Sequence, residues 1–220
     1  MRKSLCLLAA LTLQPALAAD RIAGWDRGEA YIFSHDPEGP LRIGKVAADG
    51  TVELSLPSVP STEQTLGATF PSCLESGEPM VSERFASFTP TSLFLAADDS
   101  AMEELGSLHL VSSPEMKDWK AGYGQASAVE GSWYQYVNVS QPAKLEAECR
   151  LPMYTGEDDD NFEQVIEYAA HFQPDWNLMR NDITQLHAAP SGKQHPKRIR
   201  VTVSDSVPDD AQWLFSPRGD

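Results

Sequence analysis

The sequence is poor in basic residues, in cysteine and in long apolar runs, and each scarcity excludes something. Lys and Arg number 17 against 32 Asp and Glu, a formal charge of −15 and a pI near 4.6. So acidic a surface repels polyanions, which argues against nucleic acid or an anionic membrane face as partner. After the first eighteen residues no apolar stretch approaches the roughly 20 residues that cross a bilayer as a helix. Several chemical signatures are also missing. There is no C-x-x-C or H-E-x-x-H for zinc, no G-x-S-x-G elbow, and no G-x-G-x-x-G: Gly122 and Gly124 in AGYGQ lack the third glycine. No cofactor or metal is therefore expected.

What remains is ordinary for a folded chain of 220 residues: 41% hydrophobic, 22% charged and 9% aromatic. The first eighteen residues read as an export signal. Arg2 and Lys3 precede an apolar run from Leu5 to Leu13, Pro15 breaks it, and Ala16-Leu17-Ala18 supplies the small-x-small cleavage pattern. Cleavage before Ala19 removes two positive charges and takes the formal charge from −15 to −17. The chain is thus expected to be periplasmic or secreted, with no stable membrane insertion after cleavage. Of three cysteines, Cys6 leaves with the signal. Cys73 and Cys149 then read as one disulfide in an oxidising compartment, closing a loop of roughly 77 residues and contributing about 4–5 kcal/mol by chain entropy.

Short alternating segments broken by Gly, Pro, Asp and Asn predict an all-β, mainly antiparallel, sandwich-like fold with at most short helices. Strands are expected at Glu29–Phe33, Leu41–Val46, Thr51–Leu56, Thr91–Ala96, Ser107–Val111, Trp133–Val139, Lys144–Arg150, Trp176–Met179, Arg198–Ser204 and Gln212–Phe215. Asp49-Gly50 marks a hairpin, because both residues tolerate positive φ. A short acidic helix is expected within Asp98–Leu105. Residues 19–220 form one β-rich domain, with the Pro/Ser-rich stretch 57–72 as a candidate division between two lobes. In residues 162–172, Phe162, Val165, Ile166, Ala169 and Phe172 fit a helical stripe, whereas the β segments on either side favour a strand.

Several landmarks fall in one order: Ile22-Ala23-Gly24-Trp25, Asp49-Gly50-Thr51-Val52, Phe70 before Cys73, Tyr136-Val137, Cys149, Gln173-Pro174-Asp175-Trp176-Asn177-Leu178, and Trp213-Leu214-Phe215 with Pro217. The set resembles a loose group of uncharacterised exported bacterial β-rich proteins with a Gly-Trp start, two cysteines, a "GWN" turn and a terminal Trp-x-Phe-x-Pro. Here Asp175 stands where that group carries Gly, and an Asp can still enter a left-handed turn. The resemblance implies strands on both sides of Trp176-Asn177, which tips 162–172 toward strand. It implies no activity.

The candidate chemistry is sparse. Glu157-Asp158-Asp159-Asp160-Asn161 offers clustered oxygens, but consecutive acids without Gly do not match the alternating spacing of a calcium loop, so a solvated loop is expected. His35, His109, His171, His187 and His195 show no metal spacing and are expected at the surface, with His187 and His195 meeting only by accident of folding. His109 alternates with Leu108 and Leu110 and belongs on the polar face of its strand. Lys193, Lys197, Arg198 and Arg200 form the one basic cluster, read as a solvated strand edge. Trp25, Trp133, Trp176 and Trp213 are expected in the core. The rival reading is a carbohydrate platform on Trp133, Tyr134 and Tyr136. Trp119, between Lys117 and Lys120, is read as lying in a loop and free to touch a partner. By elimination the expected function is non-enzymatic, a binding or structural protein of the bacterial cell envelope with an envelope or extracellular ligand. The alternatives are a hydrolase with dispersed catalytic residues and a weak calcium-binding module.

Overall fold

Alternation of apolar side chains decides which segments pair, and the chain pairs almost throughout. A computed structural model of the protein describes residues 20–35, 39–57, 64–70 and 81–219. The signal segment and Cys73 lie outside the described residues. Twelve strands and two short helices follow in sequence: β1 (Ala30–Ser34), β2 (Leu41–Val46), β3 (Val52–Leu54), α1 (Leu66–Thr69), β4 (Phe88–Pro90), β5 (Leu93–Ala96), β6 (Glu104–Val111), α2 (Pro114–Ala121), β7 (Gly131–Val139), β8 (Ala143–Tyr154), β9 (Asn161–Phe172), β10 (Asp175–Ala188), β11 (Gln194–Ser204) and β12 (Gln212–Pro217). The protein is all-β and mainly antiparallel, as the pattern predicts. Among the described residues the one parallel strand pair is β9 with β11, and an isolated parallel bridge joins Ile22 to Trp213.

The strands join in the order β3-β2-β1-β5-β6-β7-β10-β11-β9-β8, with β12 on β6 and β4 on β7. The sheet forks where β4 passes into β5. Thr91 donates to the Tyr136 carbonyl from both its backbone N–H and its Oγ1, each at 2.9 Å, and the Gln135 amide returns a bond to the Thr91 carbonyl at 2.8 Å. Beyond the fork, β7 and β8 are three strands apart in the order, yet only residues 140–142 connect them. The intervening sheet must therefore curl. Its concave face encloses one core, with Leu66, Phe88, Val137, Val139, Leu145 and Phe172 buried together. A second core on the other side of the fork gathers Ile32, Ile43, Leu95, Leu108, Leu110 and Trp213.

The hairpin expected at Asp49-Gly50 closes β2 on β3, with Ala47 N–H bonding the Thr51 carbonyl at 2.8 Å. Gly50 sits at φ +86°, and a Cβ there would stand 2.9 Å from the Trp25 Cβ, so only glycine fits. Asp175 adopts φ +78° at the start of β10. Its carboxylate accepts from the Asn138 amide at 2.9 Å, while the Asn177 side chain bonds both ways with Gln173.

Two expectations need correction, and one open reading resolves to the strand that the resemblance implies. Residues 98–103 form no helix: Asp98 folds back on Ser100 N–H at 2.9 Å, Ala97 N–H bonds the Glu103 carbonyl, and β6 begins at Glu104. Segment 162–172 is strand, paired with β8 on one side and β11 on the other. Its alternation runs through the even positions, where Ile166, Tyr168, Ala170 and Phe172 all face the first core. Cys149 does not end its strand, since β8 continues to Tyr154. It is buried in the first core at 5% exposure.

Candidate functional site

The outer face of the β6–β12–β7 region carries the most unusual chemistry. On β6, Leu108 and Leu110 turn into the second core, so Ser107, His109 and Val111 take the other face. Register places Leu214 opposite His109 and Ser216 opposite Ser107 on β12, and Trp133 of β7 opposite Val111. Helix α2 lies over one end of this face. Ser113 caps it by accepting from Met116 N–H at 3.1 Å, Pro114 follows the cap, and Gly122 N–H closes it on the Asp118 carbonyl at 2.9 Å. Met116 is fully buried against Val111, Ile183 and Leu214. Trp119 packs on Trp133 with ring centroids 5.6 Å apart. Trp119 is thus on a helix and half-buried rather than free in a loop.

Beside α2 the face opens into a cleft of about 850 Å³. Its charged lining is Lys117, Lys120 and Arg218 against Asp118 and Glu104. Lys117 pairs with Asp118 at 3.0 Å and Arg218 with Glu104 at 3.4 Å. Lys120 has no carboxylate partner among the described residues; its ammonium lies 4.9 Å from the centre of the Trp133 ring. Burial lowers the Lys120 pKa. His109 also lines the cleft. It sits on the face opposite Leu108 and Leu110 as expected, but it is enclosed rather than solvated. Burial, reinforced by Lys120 and Lys117, pushes its pKa down to about 4, so the imidazole is neutral at neutral pH. His109 Nε2 and Ser216 Oγ are both buried in the wall of the cleft without a hydrogen-bond partner. Unmet polar atoms of this kind cost about 1–3 kcal/mol each. Tyr123, 94% exposed at φ +50°, stands at the rim.

A second cleft, about 600 Å³, lies near Trp176, His171 and Asp205. Two of its polar groups are already engaged: Trp176 Nε1 donates to the Pro57 carbonyl, and His171 bonds Glu146. A third cluster forms at the far end of the β10–β11 hairpin, where His187 and His195 face each other in register. Their meeting is built into the hairpin and is no accident of folding. His187 stacks on Phe162 at 4.4 Å and bonds Asp160 at 2.9 Å, while Glu157 accepts from both Ser191 N–H and Ser191 Oγ. The acidic run therefore spreads its carboxylates over separate partners. Among the described residues no three His, Cys, Asp or Glu side chains are placed to hold a metal. Of the five histidines, only His35 and His171 are exposed. Arg198, from the basic cluster, pairs with Glu167 across β11 and β9.

Trp213 is buried as expected, whereas Trp25, Trp133 and Trp176 are half-buried. The carbohydrate-platform reading grouped Trp133 with Tyr134 and Tyr136, but alternation separates them. Both tyrosines pack against the second core, and Tyr134 donates to Asp210 at 2.8 Å. The aromatic partner of Trp133 is Trp119, some fourteen residues earlier, which no local pattern indicates. No protein-family model, curated protein or solved structure matches the chain.

Proposed function

We propose that this chain is an exported, non-enzymatic binding protein of the bacterial cell envelope, and that its ligand occupies the cleft beside α2. One observation carries the reading: Lys120, a cation without a carboxylate partner, is held over Trp133 in a concavity whose wall buries two unpartnered polar atoms. Folding alone gains little from that arrangement, and a guest supplying polar atoms and a counter-charge would relieve it. Periplasmic or secreted localisation rests on the signal-like first eighteen residues. A Cys73–Cys149 bridge is supported by the even pair of cysteines that remains once Cys6 is cleaved away.

Catalysis has less support. The hydrolase alternative would need a serine or threonine hydroxyl activated by a histidine, and His187 bonds Asp160 while Ser191 bonds Glu157. Native mass spectrometry of protein recovered from the exported fraction tests the proposal. The expected mass corresponds to cleavage after Ala18 and a loss of two hydrogens, with a small-molecule adduct that Lys120→Met or Trp133→Leu depletes. An adduct retained in both variants would place the ligand elsewhere, and a mass still including residues 1–18 would overturn the export reading.

A further inference from the structure

The lining of the α2 cleft points to a ligand class, and we infer that the cleft takes an acidic sugar, a ring bearing both hydroxyls and a carboxylate. This rests on the cleft being the binding site. Three observations select the chemistry together. First, the chain as a whole is strongly anionic, yet the cleft reverses the balance, with three cations against two carboxylates. Both carboxylates are already paired, which leaves Lys120 to receive one negative charge. The field of the remaining surface is screened over about 8 Å at physiological salt, so the local excess governs a bound anion.

Second, the aromatic rings favour a guest with a ring of its own over a bare ion. Trp119 and Trp133 form a tilted pair at 53°, and Tyr123 is almost wholly exposed beside them. Sugar rings present C–H faces that pack on such side chains, whereas an isolated phosphate gains nothing from them. Third, a purely aromatic acid would leave the polar wall unanswered. Ser107, Ser216 and His109 line the same cleft, and Ser216 Oγ and His109 Nε2 lack partners in its wall. A neutral imidazole can donate or accept there, which suits a hydroxyl. A carboxylate for Lys120, a ring face for the aromatics and hydroxyls for the polar wall occur together in a hexuronate.

Calorimetric titration of the folded, oxidised protein with galacturonate, galactose and inorganic phosphate tests the inference, with Lys120→Met and Tyr123→Ala as variants. Tyr123→Ala removes an exposed ring, so its folding is not at risk. The expected result is one-to-one binding of galacturonate, with galactose at least about tenfold weaker for want of one charge-assisted hydrogen bond and phosphate weaker by a similar factor for want of a ring face. Lys120→Met should bring galacturonate down to the level of galactose, and Tyr123→Ala should weaken both sugars together. If galactose binds as tightly as galacturonate and both respond to Tyr123→Ala, the acidic part fails while the cleft remains the site. Phosphate matching galacturonate would remove the sugar part. Galacturonate binding indifferent to both variants, or no binding by any probe, would overturn the inference. Indifference to both variants would also count against the cleft itself.

Discussion

Acid should weaken this fold most strongly through His109, with a further contribution from His195, whose pKa burial also lowers. In the folded protein the enclosed His109 imidazole stays neutral down to about pH 4, from an ordinary value of 6.5. A folded-state pKa lowered in this way means that the unfolded chain binds more protons between the two values. The stability is therefore complete above about pH 6.5 and falls as pH drops toward 4. At pH 5 the unfolded imidazole is almost fully protonated and the folded one almost fully neutral, a cost of about 2 kcal/mol; by pH 4 and below it approaches about 3 kcal/mol. His109→Gln keeps a polar side chain but removes the proton-binding site. Urea unfolding of both proteins at pH 7.5 and pH 5 measures the effect. With an m-value of about 2 kcal/mol per molar, the parent midpoint should fall by about 1 M more than that of the variant. Exposed carboxylates held low by hydrogen bonds, such as Asp49 and Asp98, act at lower pH and, like His195, in both proteins alike, so the difference isolates His109. Equal losses in the two proteins would refute the buried neutral imidazole.

Gly106→Ala should be among the most damaging single changes in the chain. Its Cβ would fall 2.1 Å from the Ser216 carbonyl at φ +148°, forcing β6 and β12 apart at a cost above about 3 kcal/mol, read as a collapsed thermal melt. Asp175 tests backbone strain at φ +78°: Asp175→Gly should lie within about 1 kcal/mol of the parent and Asp175→Ala about 1–2 kcal/mol below it. An Ala variant as stable as the Gly one would contradict that. Replacing Cys73 and Cys149 by Ser together should lower stability by about 4 kcal/mol in denaturant, and an unchanged midpoint would remove the proposed bridge.

The strands were legible wherever one face is apolar and the other polar. Leu41–Val46 was placed to the residue, and the turn at Gly50 could be read because its backbone demands glycine. Segment 162–172 was ambiguous because its apolar residues serve two faces at once. Val165 is buried on the side opposite Ile166, Tyr168 and Phe172, and this mixture imitates a helical stripe. Asp98–Leu105 misled for a different reason: Asp98 bonds its own turn at Ser100 instead of capping a helix. The candidate site could be read only in pieces. The alternation of His109 with its leucines set its face, but nothing local says that α2 covers that face. The helix itself was missed and Trp119 assigned to a loop, although Ser113-Pro114 supplies a cap and a first-turn proline. The pairing of Trp119 with Trp133 depends on where α2 docks, and that of His187 with His195 on strand register, both fixed only when the sheet assembles.

The five tryptophans offer the most direct test of the central claim, that ligand enters beside α2. Each indole N–H gives one resolved signal in a ¹H–¹⁵N correlation spectrum, and the chain has one Trp on α2, one on β7 and three elsewhere. Titration with galacturonate should shift Trp119 and Trp133 along one binding curve and leave Trp25, Trp176 and Trp213 in place. Movement of Trp176 instead, with Trp119 and Trp133 still, would put the ligand in the other cleft and contradict the account.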